Sequence, residues 1–552
     1  MHDLYHELAE YVAADEYSRI ERFTLSNVNG EARHLSLTPS ETHSHEIGEF
    51  HASNNKYMNE SQYPGLRTLL VVQRTKHDDG RKTSSIQKPS VLFKAFVCLR
   101  ALDLSNTDME GLPNSIGELI HLRYLSLENT KIKCLPESIS SLFKLHTMNL
   151  KCCNYLSELP QGIKFLANLR HLELPRIDNW NVYMPCGISE LTNLQTMHTI
   201  KFTSDSGSCG IADLVNLDNL RGELCISGIE NVSKEQIATE AIMKNKGELR
   251  KLVLQWSHND SMFANDASSV LDSLQPHPAL EELIIMGFFG VKFPVWMGSQ
   301  CSFKLSFLEL KDCRNCKELP SLGLLPCLKH LFINSLTSIK HVRRMLSSGD
   351  HTSSGDFQSR IAFPTLETLK FTDMESWEHW DETEATDFPC LRHLTILNCS
   401  KLTGLPKLLA LVDLRIKNCE CLLDLPSFPS LQCIKMEGFC RVNHLLQLPL
   451  FSQLEMLELR CHKKLVSLRK LQHISPFHSL RLRKELVQKV SGCEVLPFQN
   501  PSVQDSQVFV LSQVEIKHDC YQMLHTLKHC MLCGFLCISE NLDIFKVCRA
   551  NP

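Results

Sequence analysis

Residues 99–174 contain one phrase written four times: Leu99-Arg-Ala-Leu102-Asp-Leu104-Ser-Asn-Thr107, Leu122-Arg-Tyr-Leu125-Ser-Leu127-Glu-Asn-Thr130, Leu145-His-Thr-Met148-Asn-Leu150-Lys-Cys-Cys153 and Leu169-Arg-His-Leu172-Glu-Leu174. The pattern is LxxLxLxx(N/C/T), with successive starts 23, 23 and 24 residues apart. A second phrase recurs between these: Leu112-Pro113-Asn-Ser-Ile116-Gly-Glu-Leu119, Leu135-Pro136-Glu-Ser-Ile139-Ser-Ser-Leu142 and Leu159-Pro160-Gln-Gly-Ile163-Lys-Phe-Leu166. Two phrases locked in one phase mark an internal repeat.

The spacing dictates the local structure. The x-L-x-L-x core alternates apolar and polar side chains at period two, which is a short strand with one buried face. Leu-Pro ends the strand, because proline has no N–H for a ladder and biases the residue before it away from helix. Ile-x-x-Leu then packs the convex side and returns the chain. Asn, Cys or Thr closing the phrase fits a small inward polar group bonded to backbone in the bend. No coil can bury its leucines alone, so neighbours stack and stability becomes a sum over adjacent coils. The expected fold is an α/β leucine-rich-repeat solenoid, a curved horseshoe with a parallel sheet on the concave face and a short N-terminal helix.

Residues 1–23 read as that helix, with Leu4, Leu8, Tyr11 and Val12 on one face. Residues 24–98 hold two degenerate strand signals, Arg33–Leu37 and Leu66–Val71. They read as capping coils, joined by a polar loop from Pro39 to Asn59 and followed by another over 74–90. The regular block covers 99–200. Residues 201–248 break the period, with a Ser/Gly-rich stretch at Thr203–Gly210, a strand within Leu217–Val232 and a surface helix at Glu235–Lys244. The phrase resumes at Leu249 and continues through irregular coils over 249–470, with insertions near Arg343–Ser359 and Trp377–Asp387. Residues 471–552 show no repeat that can be phased. About 13 to 15 coils with strands ~4.8 Å apart would make a sheet roughly 65 Å long.

Composition narrows the function. The 552 residues are 43% hydrophobic and 22% charged with a formal net charge of −4, a balance that offers nothing to a nucleic-acid partner. The 24 cysteines are scattered, and several occupy the slot closing the phrase (Cys153, Cys313, Cys399, Cys419). There cysteine acts as a small buried hydrophobe, so no disulfide framework is expected. The N-terminus lacks the apolar core of a secretory signal, and no apolar run approaches the ~18 residues of a membrane span. A reducing, cytoplasmic setting is expected.

No metal site is expected either. Cys313-x-x-Cys316 includes a repeat slot and has no second pair at ligand spacing. In the tail, His518, Cys520, His525, His529, Cys530, Cys533 and Cys537 cluster, but Cys530-Met-Leu-Cys533 lies in an apolar run that reads equally as a buried helix. The histidines follow repeat positions and form no catalytic triad, so the chain is not read as an enzyme.

The outward positions of the strands tile the inner face. In the first half these are Arg100, Asp103, Arg123, Tyr124, Glu128, His146, Lys151, Arg170, His171 and Glu173; in the second, Gln255, Trp256, Glu281, Glu309, Lys329, Phe332, Lys370, Arg392, Lys417 and Glu458. Taken singly, each is equally a solvated residue on an exposed sheet. Taken together, mixed charge with interspersed aromatics suits protein binding. The acidic run Trp377–Asp387 reads as a rim loop whose tryptophans either anchor a partner or fold back over the convex side.

The phrase at 112–125 resembles the repeats of plant intracellular immune receptors of the nucleotide-binding, leucine-rich-repeat class. Leu220-Arg-Gly-Glu-Leu-Cys-Ile-Ser-Gly-Ile-Glu-Asn-Val232 and Leu249-Arg-Lys-Leu-Val-Leu-Gln-Trp256 are similar to a segment of their coiled-coil subgroup. Leu-Asn-Cys399 and Lys-Asn-Cys419 match the C-terminal coils of such receptors. Met1-His2-Asp3-Leu4 and the helix after it look like the Met-His-Asp motif closing the nucleotide-binding module. That resemblance implies that His2 approaches a phosphate of bound ADP, supported by Asp3. No G-x-x-x-x-G-K-[ST] loop is present, so this chain is expected to bind no ADP or ATP by itself. The resemblance further implies a module that recognises a pathogen effector or a guarded host protein and holds the receptor's nucleotide-binding module closed. A free-standing scaffold and a non-functional truncated product are the alternatives.

Overall fold

The computed structural model describes residues 16–20, 32–37, 65–71, 89–175, 182, 184–204, 209–232, 242–257, 264–298, 304–342, 362–380, 384, 386–422, 425–438, 456–460 and 479–482. Several expectations lie outside them: His2, Asp3 and the apolar face of the N-terminal helix, the Pro39–Asn59 loop, most of the 74–90 loop, most of the Glu235–Lys244 helix, the Arg343–Ser359 insertion and the tail cluster. The chain divides into two compact units, one of residues 1–259 with 273–280 and one of 260–272 with 281–552.

In the first unit, eight strands pair in sequence order and all in parallel: β1 (Tyr17–Ile20), β2 (His34–Leu37), β3 (Thr68–Val71), β4 (Ala101–Asp103), β5 (Tyr124–Ser126), β6 (Thr147–Asn149), β7 (His171–Glu173) and β8 (Thr196–Met197). The register puts Leu69, Leu102, Leu125, Met148, Leu172 and Met197 opposite one another in one fully buried column. Leu104, Leu127, Leu150 and Leu174 fill a second inward position. Three further parallel strands follow: β9 (Thr199–Lys201), β10 (Gly222–Ser227) and β11 (Leu249–Gln255).

The return path is built as the Leu-Pro-x-x-Ile phrase predicts. Pro113, Pro136 and Pro160, in extended backbone, precede single 3-10 turns at Asn114–Glu118, Glu137–Ser141 and Gln161–Phe165. Each proline carbonyl accepts from the N–H of the isoleucine three residues on, and Ile116, Ile139 and Ile163 are fully buried. A turn of this kind suffices to cover one rung, which a longer helix would overshoot.

Each bend after a strand has two parts. Asn106, Asn129, Cys152, Asp312, Asn398 and Asn418 take positive φ of 54–61°, a conformation that asparagine and aspartate tolerate best. The next residue is the buried slot. Thr107 Oγ1 donates to the Leu104 carbonyl and Thr130 Oγ1 to that of Leu127, both at 2.8 Å, while Cys153 Sγ donates to Leu127 at 2.9 Å. Cys313, Cys399 and Cys419 are fully buried in equivalent slots, and every cysteine among the described residues is a free thiol.

The second unit repeats the design with longer strands: β12 (Glu282–Met286), β13 (Phe307–Lys311), β14 (His330–Asn334), β15 (His341–Val342), β16 (Thr368–Thr372), β17 (His379–Trp380), β18 (His393–Leu397), β19 (Asp413–Lys417), β20 (Cys433–Glu437), β21 (Met456–Arg460) and β22 (Ser479–Leu482). All but β15 and β17 pair successively in parallel; those two pair with each other as a small side sheet.

The strand expected within Leu217–Val232 is β10, which pairs with both β9 and β11 after a 3-10 turn at Ile211–Leu214. Three expectations are corrected. Tyr17–Ile20 is not helical but the first strand, hydrogen-bonded to β2, so the ladder reaches back into the presumed helix. The Trp377–Asp387 run is not simply an exposed loop. Trp377 is fully buried, its indole N–H donates to the His379 carbonyl at 2.9 Å, and its ring packs 4.5 Å from that of Phe371 and 5.6 Å from that of Trp380. Asp387 is buried too, accepting the N–H groups of Ala362 and Glu384. Trp256 is 2% exposed, and the β11 alternation Leu252, Leu254, Trp256 carries it inward, off the concave face.

Two substitutions test this packing. A Cβ on Gly228 (φ 70°) would stand 2.1 Å from the Phe202 carbonyl oxygen, whereas one on Gly404 meets nothing within 4 Å. Gly228→Ala should lower the unfolding free energy by on the order of 3 kcal/mol, and Gly404→Ala should leave the denaturant midpoint nearly unchanged. Lys246 has a fully buried side chain whose Nζ meets Asp218 at 3.2 Å, and burial pulls its pKa down. Asp218→Ala, which strands that amine, should cost on the order of 2 kcal/mol, while Lys246→Met should be neutral or raise the melting temperature.

Candidate functional site

Asp103, Tyr124, His171 and Glu173 lie on strands of the first unit at outward positions, half-buried beside their neighbours on the sheet. Glu128 and Lys151 follow just after their strands; Asn149 Nδ2 donates to Glu128 at 2.9 Å, and Lys151 Nζ lies 3.3 Å from Glu173. Glu173 also holds His198 Nε2 at 2.6 Å and accepts the Thr196 hydroxyl at 3.2 Å. Thr196 Oγ1, whose O–H donates to that carboxylate, lies 2.9 Å from His171 Nδ1.

Arg100, Arg123, His146 and Arg170 do not face outward from the strands. Each sits one residue before its strand, at the corner where the coil enters the sheet. Between the inward Leu99 and Leu102 two residues must fit, and only one can occupy the pleat. At that corner a single carbonyl of the preceding coil accepts two N–H groups: Arg67 O from Arg100 at 2.7 Å and Ala101 at 3.0 Å, then Arg100 O from Arg123 and Tyr124 likewise. These bonds run from Glu16 through Arg33, Arg67, Arg100, Arg123, His146, Arg170 and Gln195 to Arg221. They form a file along one rim, one residue per coil, and Arg67 and Arg221 extend the set expected from sequence. Their signal is the same Leu-Arg dipeptide, at 66–67 and 220–221.

Arg33 pairs with Glu16 of the same file at 2.8 Å; Arg67, Arg100, Arg123, Arg170 and Arg221 form no ion pair among the described residues. Their field shows in the histidines beside them. Burial, and then Arg170 and Arg123, push the His146 pKa below its usual value; burial and then Arg221 do the same to His171. The rim is therefore positive, while the adjoining strand positions carry Asp103, Glu128 and Glu173.

In the second unit Glu281, Lys329 and Arg392 occupy the same pre-strand corner, as the double bonds from Ser306 and Phe307 to Glu281 O show. Glu309, Phe332, Lys370 and Lys417 do lie on strands at outward positions, and Glu458 lies within β21. Lys329 pairs with Glu367 at 3.5 Å and Lys417 with Glu437 at 3.1 Å. Lys370 Nζ stands 5.8 Å from the centroid of Phe332. In the first unit, Gln255 ends β11. Sequence reading passed over Ile284, Met286 and Phe307, which share the outward face of β12 and β13; their signal is the strand alternation itself.

Among the described residues no grouping of three or more His, Cys, Asp and Glu side chains could hold a metal ion, and no helix is long and apolar enough to cross a membrane. Cys316 Sγ donates to the Gly290 carbonyl at 3.1 Å, and burial drives its pKa up to about 12, so it is held as a hydrogen-bonded thiol.

Residues 211–336 match a family model described as R13L1/DRL21 LRRs. The chain is 37% identical over 318 residues to the putative disease resistance protein RGA4 of Solanum bulbocastanum, covering 57% of this chain and 31% of that protein. It is 33% identical over 362 residues to disease resistance protein RGA2 of the same species, covering 65% and 37%. Against the putative disease resistance RPP13-like protein 1 of Arabidopsis thaliana it is 31% identical over 333 residues, covering 56% and 31%. The matches thus span about a third of the length of these curated relatives. Among solved structures, the plant peptide hormone receptor RGFR1 in complex with RGF2 aligns with 85% of this chain and 79% of its own at 16% identity and a TM-score of 0.37. The chain is a leucine-rich-repeat homologue of the plant disease resistance proteins.

Proposed function

We propose that this chain is the recognition and restraint module of a plant defence receptor, acting by protein–protein contact and not by catalysis. The observation that carries the reading is the rim file of Arg67, Arg100, Arg123, Arg170 and Arg221. Five guanidinium groups that form no ion pair among the described residues, set on a rigid ladder, are suited to an acidic protein surface. By the family resemblance that surface belongs to the nucleotide-binding module, which the rim would hold closed; the outward positions of the second unit would meet an effector or guarded host protein. A ligand that binds better to the released state then shifts the equilibrium by its difference in affinity. Nucleotide would be held by the partner module and not by this chain.

The test uses a receptor in which this chain follows a nucleotide-binding module. Arg100→Glu, Arg123→Glu and Arg170→Glu together are expected to trigger cell death without a ligand in leaf tissue. They should also weaken binding of the separately expressed module by about a hundredfold at low salt, a difference that shrinks as ionic strength rises. Charge reversals at Lys370, Arg392 and Lys417 should leave the receptor quiet and alter its response to ligand. Wild-type behaviour from both sets would overturn the reading.

A further inference from the structure

On the outward face of the second unit, most carboxylates have a cation beside them. Asp413 Oδ2 accepts from both Nη2 and Nε of Arg415, at 3.0 and 3.2 Å, Glu437 meets Lys417, and Glu367 meets Lys329. Glu309 differs. It stands at the centre of β13, half-buried, and makes no side-chain hydrogen bond or ion pair among the described residues.

Its surroundings are apolar on three sides. The strand register sets Ile284 opposite it on β12 and Phe332 opposite it on β14, and Phe307 precedes it on the same face of its own strand. The Phe307 and Phe332 rings meet edge to face, with centroids 5.1 Å apart and planes at 79°. Beyond this socket lie two cations, Lys311 on the same strand and Lys370 against the far side of Phe332.

We propose that Glu309, Phe307 and Phe332 form a socket for one arginine or lysine side chain of a partner protein, with an adjacent apolar residue of that partner resting on Ile284 and Met286. This deepens the reading of the outward face as a recognition surface and rests on it. The charge argument decides the occupant. Covering an unpaired carboxylate with an apolar or acidic surface strips its water without replacement, whereas a guanidinium or ammonium supplies the missing partner. The two phenyl rings add attraction for the same cation, most of all for a planar guanidinium. Lys311 and Lys370 repel a second positive charge, so the preferred feature is a single basic residue beside an apolar one and not a polybasic run.

The experiment selects random linear peptides displayed on phage against the immobilised 552-residue chain, then measures the affinity of synthesised winners. The expected winners carry one Arg or Lys next to an apolar residue. Their affinity should fall about tenfold with Glu309→Gln and with Phe332→Ala, while the far-UV circular dichroism stays unchanged. Recovery of a Glu-for-Arg peptide by Glu309→Lys would fix the pairing. If winners lack a basic residue, are acidic and depend on Lys311 and Lys370, or ignore Glu309→Gln, the socket is overturned. Winners sensitive to Arg415→Glu but not to Glu309→Gln would remove the socket and leave the recognition face standing. Winners indifferent to every outward-face substitution, or none at all, would remove both.

Discussion

The structure depends on one constraint, that an inward leucine can be buried only by the leucine of the next rung. A three-residue strand such as Ala101–Asp103 has too few hydrogen bonds and too little apolar area to persist alone. Stacked in register, Leu102, Leu125, Met148 and Leu172 each lose all contact with water, and each contributes on the order of 2 kcal/mol of transfer free energy. Removing one side chain opens a void that both neighbouring rungs line, so its effect is felt beyond its own coil.

That constraint sorts every other position. Inward sites accept only what fills them: methionine stands in for leucine in the column at Met148 and Met197, and threonine and cysteine alternate in the bend slot at Thr107, Thr130 and Cys153. The bend residue must adopt positive φ, hence the file of Asn106, Asn129, Asn398 and Asn418, whose side chains then bond rung to rung at 2.7–3.0 Å through Asn106, Asp373 and Asn398. Where the bend carries Gly228 or Gly438 instead, a carbonyl or amide oxygen of the neighbouring coil approaches to 2.1 Å of any added Cβ. Outward and rim sites bear no such load and are left to function.

The repeat was legible because its period and both its phrases are local. The four clearest strands, the 3-10 returns after Leu-Pro and the buried Cys slots follow from residues within one coil. What was not legible depended on neighbours. Arg100 and Tyr124 both read as outward residues of an LxxL spacing; only the paired N–H bonds to a single carbonyl show that the arginine takes the corner and the tyrosine the sheet. Trp256 was misplaced because it follows the end of β11, where the two-residue alternation of Leu252 and Leu254 continues into the bend and turns the indole inward. Trp377 sits in an acidic stretch, and nothing local announces that Phe371, Trp380 and Phe388 gather around that stretch. Tyr17–Ile20 carries no leucine phrase and becomes a strand because β2 offers it an open edge.

The rim file and the lone Glu309 pose the same energetic question with opposite signs. Adjacent guanidinium groups roughly 5 Å apart in water repel by less than about 1 kcal/mol per pair, and salt reduces this further. A folded solenoid tolerates that cost, as it tolerates one half-buried carboxylate among phenyl rings. Neither arrangement contributes to the leucine columns, and either could be relieved by one substitution at a site where packing imposes nothing. Glu281 shows that the pre-strand corner accepts an acid, and Asp413 with Arg415 shows that the outward face accepts an internal pair. Five rim arginines in seven consecutive corners, and one carboxylate among aromatics on the face, make no ion pair among the described residues, and the fold requires neither arrangement.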